Sequence, residues 1–489
     1  MGRRRYRKQK EKIYENVKIT DLAIEGRGVG KVPLPESDEL LTLFVEKTVP
    51  GDVVDVKITG RKSNYKEGFP VLFHSYSPKR IDPFCKHFGL CGGCTRQNLT
   101  YADQLFYKQQ QVEQTLKRLA KVQIPEIQPI MPAPTTKFYR NKLEFSFTNR
   151  RWLTADEIGD DTEISQVKGL GFHIPGRFDK VLDIEECSLQ QTPSNAIRLF
   201  VKAYGIKHGY DFFNLYKAEG FLRNLIIRTS SSGELMLIVS FFENKVLEIQ
   251  KLLDALKKEF PEITSLNYVI NHTKNDSIAD LPVVHYAGLP YLNEKMGDIQ
   301  FKVGPKSFYQ TNSEQAHNLY LQVKEIAELT PEDIVYDLYT GTGTIANFIA
   351  RDVKQVVGIE YVKEAVEDAK VNSQINGIEN TRFFAGDMKD ILTEDFIRQN
   401  GTPNLIIADP PRAGMHKSVI QTLLNTQAEK IIYVSCNVAT QARDIQILSE
   451  KYILRKIQPV DMFPHTHHIE NIVLLQKKES TKPIHSDGI

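Results

Sequence analysis

Ile334-Val335-Tyr336-Asp337-Leu338, running without a break into Tyr339-Thr340-Gly341-Thr342-Gly343-Thr344, reads as a buried strand that turns through two glycines into a helix. Glycines at a strand-to-helix turn let the backbone approach a ligand closely. A second strand, Val356-Val357-Gly358-Ile359, ends in Glu360, about twenty residues on, where an acid accepts hydrogen bonds from a ribose diol. A third strand is followed by Gly386-Asp387, whose polar side chain could read an adenine amino group. A fourth ends in Asp409-Pro410-Pro411-Arg412.

Outward from this turn, strands are predicted near Ile334–Leu338, Gln355–Glu360, Thr381–Ala385, Leu405–Ala408, Ile431–Ser435 and Ile472–Gln476, with a helix over 313–328 and helices between most strands. The fold class is therefore α/β, a doubly wound, Rossmann-like sheet. NAD enzymes share the glycines and the acid, but their third glycine is replaced here by Asn347. Glycine turn, strand-end Glu, Gly-Asp and Asp-Pro-Pro in that order suit an S-adenosylmethionine methyltransferase, rather than a dinucleotide dehydrogenase or a non-catalytic relic.

Upstream, residues 14–76 read as short strands broken by Gly26, Gly28 and Gly30, with a turn at Val49-Pro50-Gly51-Asp52. Strands at this spacing predict a small closed β-barrel of the oligonucleotide-binding kind. Glu25-Gly26-Arg27-Gly28-Val29-Gly30-Lys31 sets two bases among glycines, which suits either phosphate approach or a tight hairpin. A Cys-rich loop over 77–95 and a helix over 100–121 follow; this helix is a candidate to pack on the catalytic domain. The Pro-rich stretch Ile124–Pro134 reads as a linker. Together with the stretch that follows they make up a central α+β domain over 77–305, without a fingerprint beyond the cysteines. Its basic strand starts, Phe138-Tyr139-Arg140-Asn141-Lys142 and Arg223-Asn224-Leu225-Ile226-Ile227-Arg228, read as solvated ends. The catalytic domain spans 306–478, between the central domain and a tail at 479–489.

The chain has 489 residues, a net charge of only +2 and 25% charged residues, so nucleic-acid binding must come from local patches. One such patch is the tail at 1–13, where Arg3, Arg4, Arg5, Arg7, Lys8, Lys10 and Lys12 face a lone Glu11. It reads as a solvated tail or a phosphate-contacting arm. No signal peptide and no apolar run of about 20 residues is present, which predicts a cytoplasmic protein with no membrane partner. Disulfides are then a poor use for the five cysteines. Cys85, Cys91, Cys94 and Cys187 look like a metal or cluster site, and Cys436 in Val434-Ser435-Cys436-Asn437 stands apart as a candidate nucleophile.

Together these residues resemble the RNA uracil-5-methyltransferases, in particular the cluster-bearing branch that acts on 23S ribosomal RNA. The likeness covers most of the chain. Its motifs are Phe308-Tyr309-Gln310-Thr311-Asn312, Asp337-Leu338-Tyr339-Thr340-Gly341-Thr342-Gly343, Asp409-Pro410-Pro411-Arg412, Ser435-Cys436-Asn437 and Phe463-Pro464-His465-Thr466-His467-His468-Ile469-Glu470. The resemblance implies that 14–76 is a TRAM domain that binds RNA. It implies that Gln310, Tyr339, Glu360 and Asp409, with Asp387 a weaker addition, contact S-adenosylmethionine. It implies Cys436 as nucleophile, Glu470 as base, and a 4Fe–4S cluster on Cys85, Cys91, Cys94 and Cys187. Thr340 stands where many relatives have a cysteine, but that cysteine is not the nucleophile.

The chemistry needs these residue types. Carbon 5 of uracil is a poor nucleophile until a thiolate adds to carbon 6. A base must then remove the carbon 5 proton. The target base must also leave its stack to reach the thiol. Taken alone, a strand-end cysteine is more often a small buried hydrophobe, and Glu470 a solvated acid. The quartet's C-x5-C-x2-C spacing with a distant fourth suits an iron–sulfur cluster better than the paired Cys-x-x-Cys units of zinc sites, zinc remaining the alternative. For His465, His467 and His468, loop ordering or phosphate contact is expected rather than metal binding. The implied substrate is ribosomal RNA; transfer RNA, or a non-catalytic role in RNA binding or ribosome assembly, is the rival. Nothing implies an obligate protein partner.

Overall fold

The computed structural model describes residues 12–23, 25–34, 38–62, 64–154, 157 and 168–479. The basic stretch up to residue 11, and the tail from 480, lie outside the described residues. The chain divides into two compact units, Met1–Gln111 with Phe463–His467, and Val112–Met462 with His468–Ile489.

The first unit opens with five strands: β1 (Ile13–Leu22), β2 (Gly28–Pro33), β3 (Leu40–Val45), β4 (Val53–Arg61) and β5 (Tyr65–Ser75). They close into a barrel in the order β1-β2-β3-β5-β4. Alternation fills it, with Val17, Ile19, Leu43, Val45, Val54 and Val56 all pointing inward. Gly28 is required by close approach, since a Cβ there would lie 2.2 Å from Thr48 Oγ1. Arg27, read as a phosphate candidate, is instead ion-paired with Glu25 and with Glu67, the latter at 2.8 Å. The hairpin explanation of these glycines therefore holds, and Arg27 is already committed.

Helix α1 (Tyr101–Leu119) follows. Val112 and Leu116 from its second half, with Ala120 just beyond, join the main core of the second unit. The Pro-rich stretch behind it is docked rather than a free linker. Ile127 and Met131 form parallel bridges to Ile457 and Val460, and Gln128 N–H and Met131 N–H donate to Ile457 O and Pro459 O at 3.0 and 2.9 Å.

The second unit holds two sheets. The central one contains β6 (Lys142–Thr148), β7 (Gly169–Ile174), β8 (Arg177–Asp183), β9 (Leu222–Thr229), β10 (Leu235–Phe241), β11 (Ile263–Ile270) and β12 (Val283–Gly288), in the order β12-β11-β10-β9-β6-β7-β8. Helices α2 (Ser194–Lys207) and α3 (Val246–Glu259) accompany it. Arg223 and Arg228 are not solvated, as their strand-end positions led us to expect, but buried. Buried cations need partners. Arg228 donates to Gly304 O, Pro305 O and Ser307 O at 2.9–3.3 Å, and Arg223 to Asn271 O and Asn275 O at 2.9 and 2.7 Å.

A hairpin, β13 (Leu292–Met296) and β14 (Ile299–Val303), leads into α4 (Ser313–Ala327), capped by Asn312. The catalytic sheet then runs β15 (Ile334–Leu338), α5 (Thr344–Ile349), β16 (Gln355–Glu360), α6 (Lys363–Ile375), β17 (Thr381–Ala385), α7 (Met388–Ile391), α8 (Glu394–Asn400), β18 (Leu405–Ala408), α9 (Lys417–Thr426), β19 (Lys430–Ser435), α10 (Val438–Leu448), β20 (Tyr452–Val460) and β21 (Glu470–Lys477). Its order is β17-β16-β15-β18-β19-β21-β20, parallel except for β21, which runs against both neighbours. Strand β20 is an addition to the sequence expectation. Register aligns the carboxyl ends of β16, β15, β18 and β19, with Leu338 opposite both Ile359 and Ala408 and Ala408 opposite Tyr433. That rim is where open α/β sheets bind ligands. Among the described residues, no helix is long and apolar enough to cross a membrane.

Candidate active site

The glycine turn stands at the centre of the rim. Tyr339, Gly341 and Gly343 have φ of 63°, 56° and 74°. A Cβ on Gly341 would meet nothing within 4 Å, so the turn borders open space, a cradle of the kind a cofactor fills. Glu360, at the end of the neighbouring strand, accepts the Gly341 and Val362 N–H groups at 3.1 and 2.9 Å. Its carboxylate is thereby fixed beside the turn. Asp337 lies beneath. Burial pushes its carboxyl up to about 7, against the Thr340 hydroxyl that donates to it and with the help of nearby Asp409. The segment carrying Gln310 is tied in: Thr342 Oγ1 donates to Phe308 O at 3.4 Å, and Asn141 Nδ2 to Gln310 O at 2.8 Å. Asp387 caps α7 and pairs with Lys389 at 2.9 Å. It is a more exposed group, held below its ordinary range first by the Lys389 ammonium.

Cys436 follows β19, and Glu470 opens β21. Because Ser435 pairs with Asn471, the next step along both strands sets Cys436 against Glu470. Asp409 and Arg412 complete the cluster from the end of β18. Burial, then the Glu470 carboxyl, push the Cys436 thiol up to about 11. Arg412, which bonds the sulfur, pulls it down, and Asp409 raises it. Glu470 is 6% exposed. Burial and Asp409 push it well above the carboxylate range, against Arg412. Burial carries Asp409 to about 7. Three acidic groups thus share one poorly hydrated corner, with Arg412 as their cation.

Local hydrogen bonds build this corner. Asn437 caps α10 through Ala439 and Thr440 N–H, and its Nδ2 donates to Arg412 O at 3.0 Å. Buried Asp444, one turn further into α10, accepts Met415 N–H at 3.0 Å and the Tyr433 hydroxyl at 2.8 Å. The loop after Asp-Pro-Pro-Arg is therefore anchored to the helix after the cysteine. Sequence reasoning missed both Asp444 and the role of Arg412. Arg412 was visible in its motif; Asp444, on an unremarked helix, gave no signal.

The other cysteines and histidines divide as follows. Cys85, Cys91 and Cys94 occupy a turn-rich loop of the first unit, and Cys187 precedes α2 in the second; all are partly buried. Gly93 N–H donates to Cys91 Sγ at 3.4 Å. Among the described residues, no group of three or more His, Cys, Asp or Glu side chains is gathered as a metal site. It is the soft, all-thiol donor set, not an assembled pocket, that suits iron. His465 orders its loop: it is buried, its N–H donates to Gln104 Oε1 at 2.9 Å, and its carbonyl accepts Thr95 and Arg96 N–H at 2.8 and 3.0 Å. His468 meets Arg412 Nη2 through Nδ1 at 3.3 Å.

Comparison with known proteins agrees with this geometry. The family model described as tRNA (Uracil-5-)-methyltransferase matches residues 290–478, and that of the TRAM domain matches residues 9–71. A Bacteroides thetaiotaomicron protein described as an uncharacterized RNA methyltransferase is 56% identical over 93% of this chain and 100% of its own. This chain belongs to the RNA uracil-5-methyltransferase family. A Chlorobaculum tepidum RNA methyltransferase is 38% identical over 94% of this chain and 96% of its own. Among solved structures, the tRNA (uracil-54, C5)-methyltransferase of Pyrococcus abyssi, in complex with S-adenosyl-L-homocysteine, superposes with a TM-score of 0.72 at 27% identity, covering 94% of this chain and 99% of that one. The chain is thus an S-adenosylmethionine-dependent RNA uracil-5-methyltransferase with an N-terminal TRAM barrel.

Proposed function

We propose that this enzyme methylates carbon 5 of a specific uridine in 23S ribosomal RNA through a covalent bond between Cys436 and carbon 6 of the ring. The observation that carries the mechanism is the meeting of Cys436, Glu470, Asp409 and Arg412 on the ligand-binding rim. The Cys436 thiol gives up its proton to solvent, Arg412 stabilises the resulting thiolate, and the thiolate adds to carbon 6 while the ring's electron pair moves onto oxygen 4 as an enolate. S-adenosylmethionine, when bound, supplies the methyl group that carbon 5 accepts. Glu470, which must enter this step as its carboxylate, the form that Arg412 favours, then takes the carbon 5 proton, the carbon 5–carbon 6 double bond re-forms, and the Cys436 thiolate is expelled. Glu360 would hold the ribose hydroxyls and Asp387 the adenine amino group, with Gln310, Tyr339 and Asp409 completing the contacts.

Ribosomal RNA is favoured by the resemblance, through a cysteine quartet and a TRAM domain in one chain. Transfer RNA is the second reading, favoured by the likeness to the Pyrococcus abyssi enzyme along almost the whole chain. Mapping 5-methyluridine in both RNAs, from cells with and without the gene, separates them. Loss of one 23S position is the expected result. Loss confined to transfer RNA would overturn the ribosomal reading and leave the chemistry standing.

The same proposal assigns Cys85, Cys91, Cys94 and Cys187 to a 4Fe–4S cluster, with zinc the alternative. Anaerobically purified protein should carry about four irons per chain and absorb broadly in the visible. Serine at any of the four should lose iron, because a hard hydroxyl is a poor ligand for it. Cys436→Ser should keep it in full. One zinc and no iron would defeat the cluster while sparing the methyltransferase chemistry.

A further inference from the structure

The central sheet carries a basin of about 600 Å³ that the chemistry above does not use. It lies away from the methyl-transfer rim. Strand β6 begins beside Asn141, which bonds the Gln310 carbonyl, whereas the basin is lined by Ser146 and Thr148 at the strand's other end. At about 3.3 Å per residue the two ends are roughly 20 Å apart. Lys142, Glu144 and Ser146 alternate onto one face, so a polar row runs from the rim end of the strand to the basin.

The basin is built, not incidental. Asn275 and Asp276 line it on a loop held by fully buried Arg223 through the carbonyls of Asn271 and Asn275. Asn271 adds its own bonds to Thr273 N–H and Asn275 O, both at 3.0 Å. Its wall is His173, whose Nε2 lies 3.1 Å from Ser146 Oγ and 3.7 Å from Asp276. Burial raises the Asp276 carboxyl, but His173 and Arg223 outweigh this and hold it below its ordinary range. Asp276 therefore stays an ionised acceptor. At the mouth, Phe178 is 75% exposed on the β7–β8 hairpin. Arg177 and Lys274 flank it, with no ion pair to either among the described residues.

An exposed aromatic face, a fixed carboxylate acceptor and two cations without an ion pair among the described residues match the three parts of a nucleotide. A base stacks on an aromatic ring, its edge donates to an acceptor, and its phosphate seeks a cation. A bare anion would not need Phe178, and an apolar ligand would not need Arg177 or Lys274. We propose that this basin takes a second unpaired nucleotide of the RNA substrate, stacked on Phe178, with its base edge toward Asp276 and its phosphate toward Arg177 and Lys274. The proposal rests on the reading of this chain as an RNA-modifying enzyme. It gives that enzyme a way to recognise sequence at a distance from the target uridine.

The only tryptophan of the chain, Trp152, provides a probe, because the Arg177 guanidinium sits over its ring at 5.9 Å. Titrating the full-length protein with short unstructured oligoribonucleotides should change Trp152 fluorescence saturably. Phe178→Ala, at an exposed position that folding does not need, should weaken that transition about tenfold, the usual loss for one stacked base. Asp276→Asn should change which base is preferred. On the ribosomal RNA substrate, Phe178→Ala should raise KM by a similar factor and leave kcat unchanged. A silent Trp152, or parent-like binding by Phe178→Ala, would overturn the proposal. So would a mononucleotide that binds as tightly as the oligonucleotides, since the site would then serve free nucleotides. A normal fluorescence response from protein that methylates no uridine in ribosomal RNA would uphold the basin and defeat the substrate reading instead.

Discussion

Cys436→Ala should abolish methyl transfer, lowering turnover by about 10⁴-fold or more, the scale seen when a covalent nucleophile is removed. It should also abolish the denaturation-resistant adduct that parent protein forms with 5-fluorouridine RNA and S-adenosylmethionine. Fluorine cannot leave as a proton does, so the thioether to carbon 6 is trapped after methylation. The electrostatics add a pH signature. The thiol of Cys436 is pushed up to about 11 by burial and by Glu470, so little of it is thiolate at neutral pH. A group whose pKa lies above the working pH gains its anion as pH rises. Adduct formation should therefore climb from pH 7 to pH 9. Arg412 is the group that opposes the upward shift, and Arg412→Ala should slow the adduct at any pH in that window. Adduct persisting in Cys436→Ala would remove Cys436 from the mechanism. A flat profile would mean that an internal base takes the thiol proton.

The rim was legible because it follows from strand ends. A parallel sheet places the residues after β15, β16, β18 and β19 together whatever the side chains are, so the pattern puts Tyr339, Glu360, Asp409 and Cys436 at neighbouring strand ends, while the roles given to Tyr339, Asp409 and Cys436 come from the resemblance. Glu470 is different. It reaches Cys436 only because β21 runs backwards between β19 and β20, and β20 was not anticipated: charged Arg455 and Lys456 interrupt its apolar pattern, and Pro459 lies near its end. The Glu470 assignment therefore rested on resemblance, not on pattern. The central sheet was illegible for another reason. Strands β9 and β10 are buried on both faces, so alternation, the usual strand signal, is missing. Arg223 and Arg228 looked like solvated ends because their partners, the carbonyls at 271–275 and 304–307, are tens of residues away in sequence. Nothing local announces a cation whose counterpart is distant backbone.

Glu470→Gln should not resemble the cysteine variant. The amide fills the same buried space and cannot accept the carbon 5 proton, so addition and methylation proceed and elimination stalls. Removing the carboxyl also removes the neighbour that, after burial, contributes most to raising the Cys436 thiol. Thiolate formation should then become easier, not harder. That favours the first step while the last is blocked. The expected result is a long-lived complex of protein with already methylated, ordinary RNA. It would be visible as a shifted band on a denaturing gel within one turnover, with steady-state turnover down by about 10²–10⁴-fold, the range for a lost general base. Cys436→Ala combined with Glu470→Gln should show no band, because the bond that stalls is the one Cys436 makes. If Glu470→Gln instead turns over near the parent rate, the base is another group, and Asp409, which faces the same corner and sits at about 7, becomes the first to test. If it loses both the band and the methyl transfer, Glu470 acts before the thiol adds, as the group that takes the Cys436 proton.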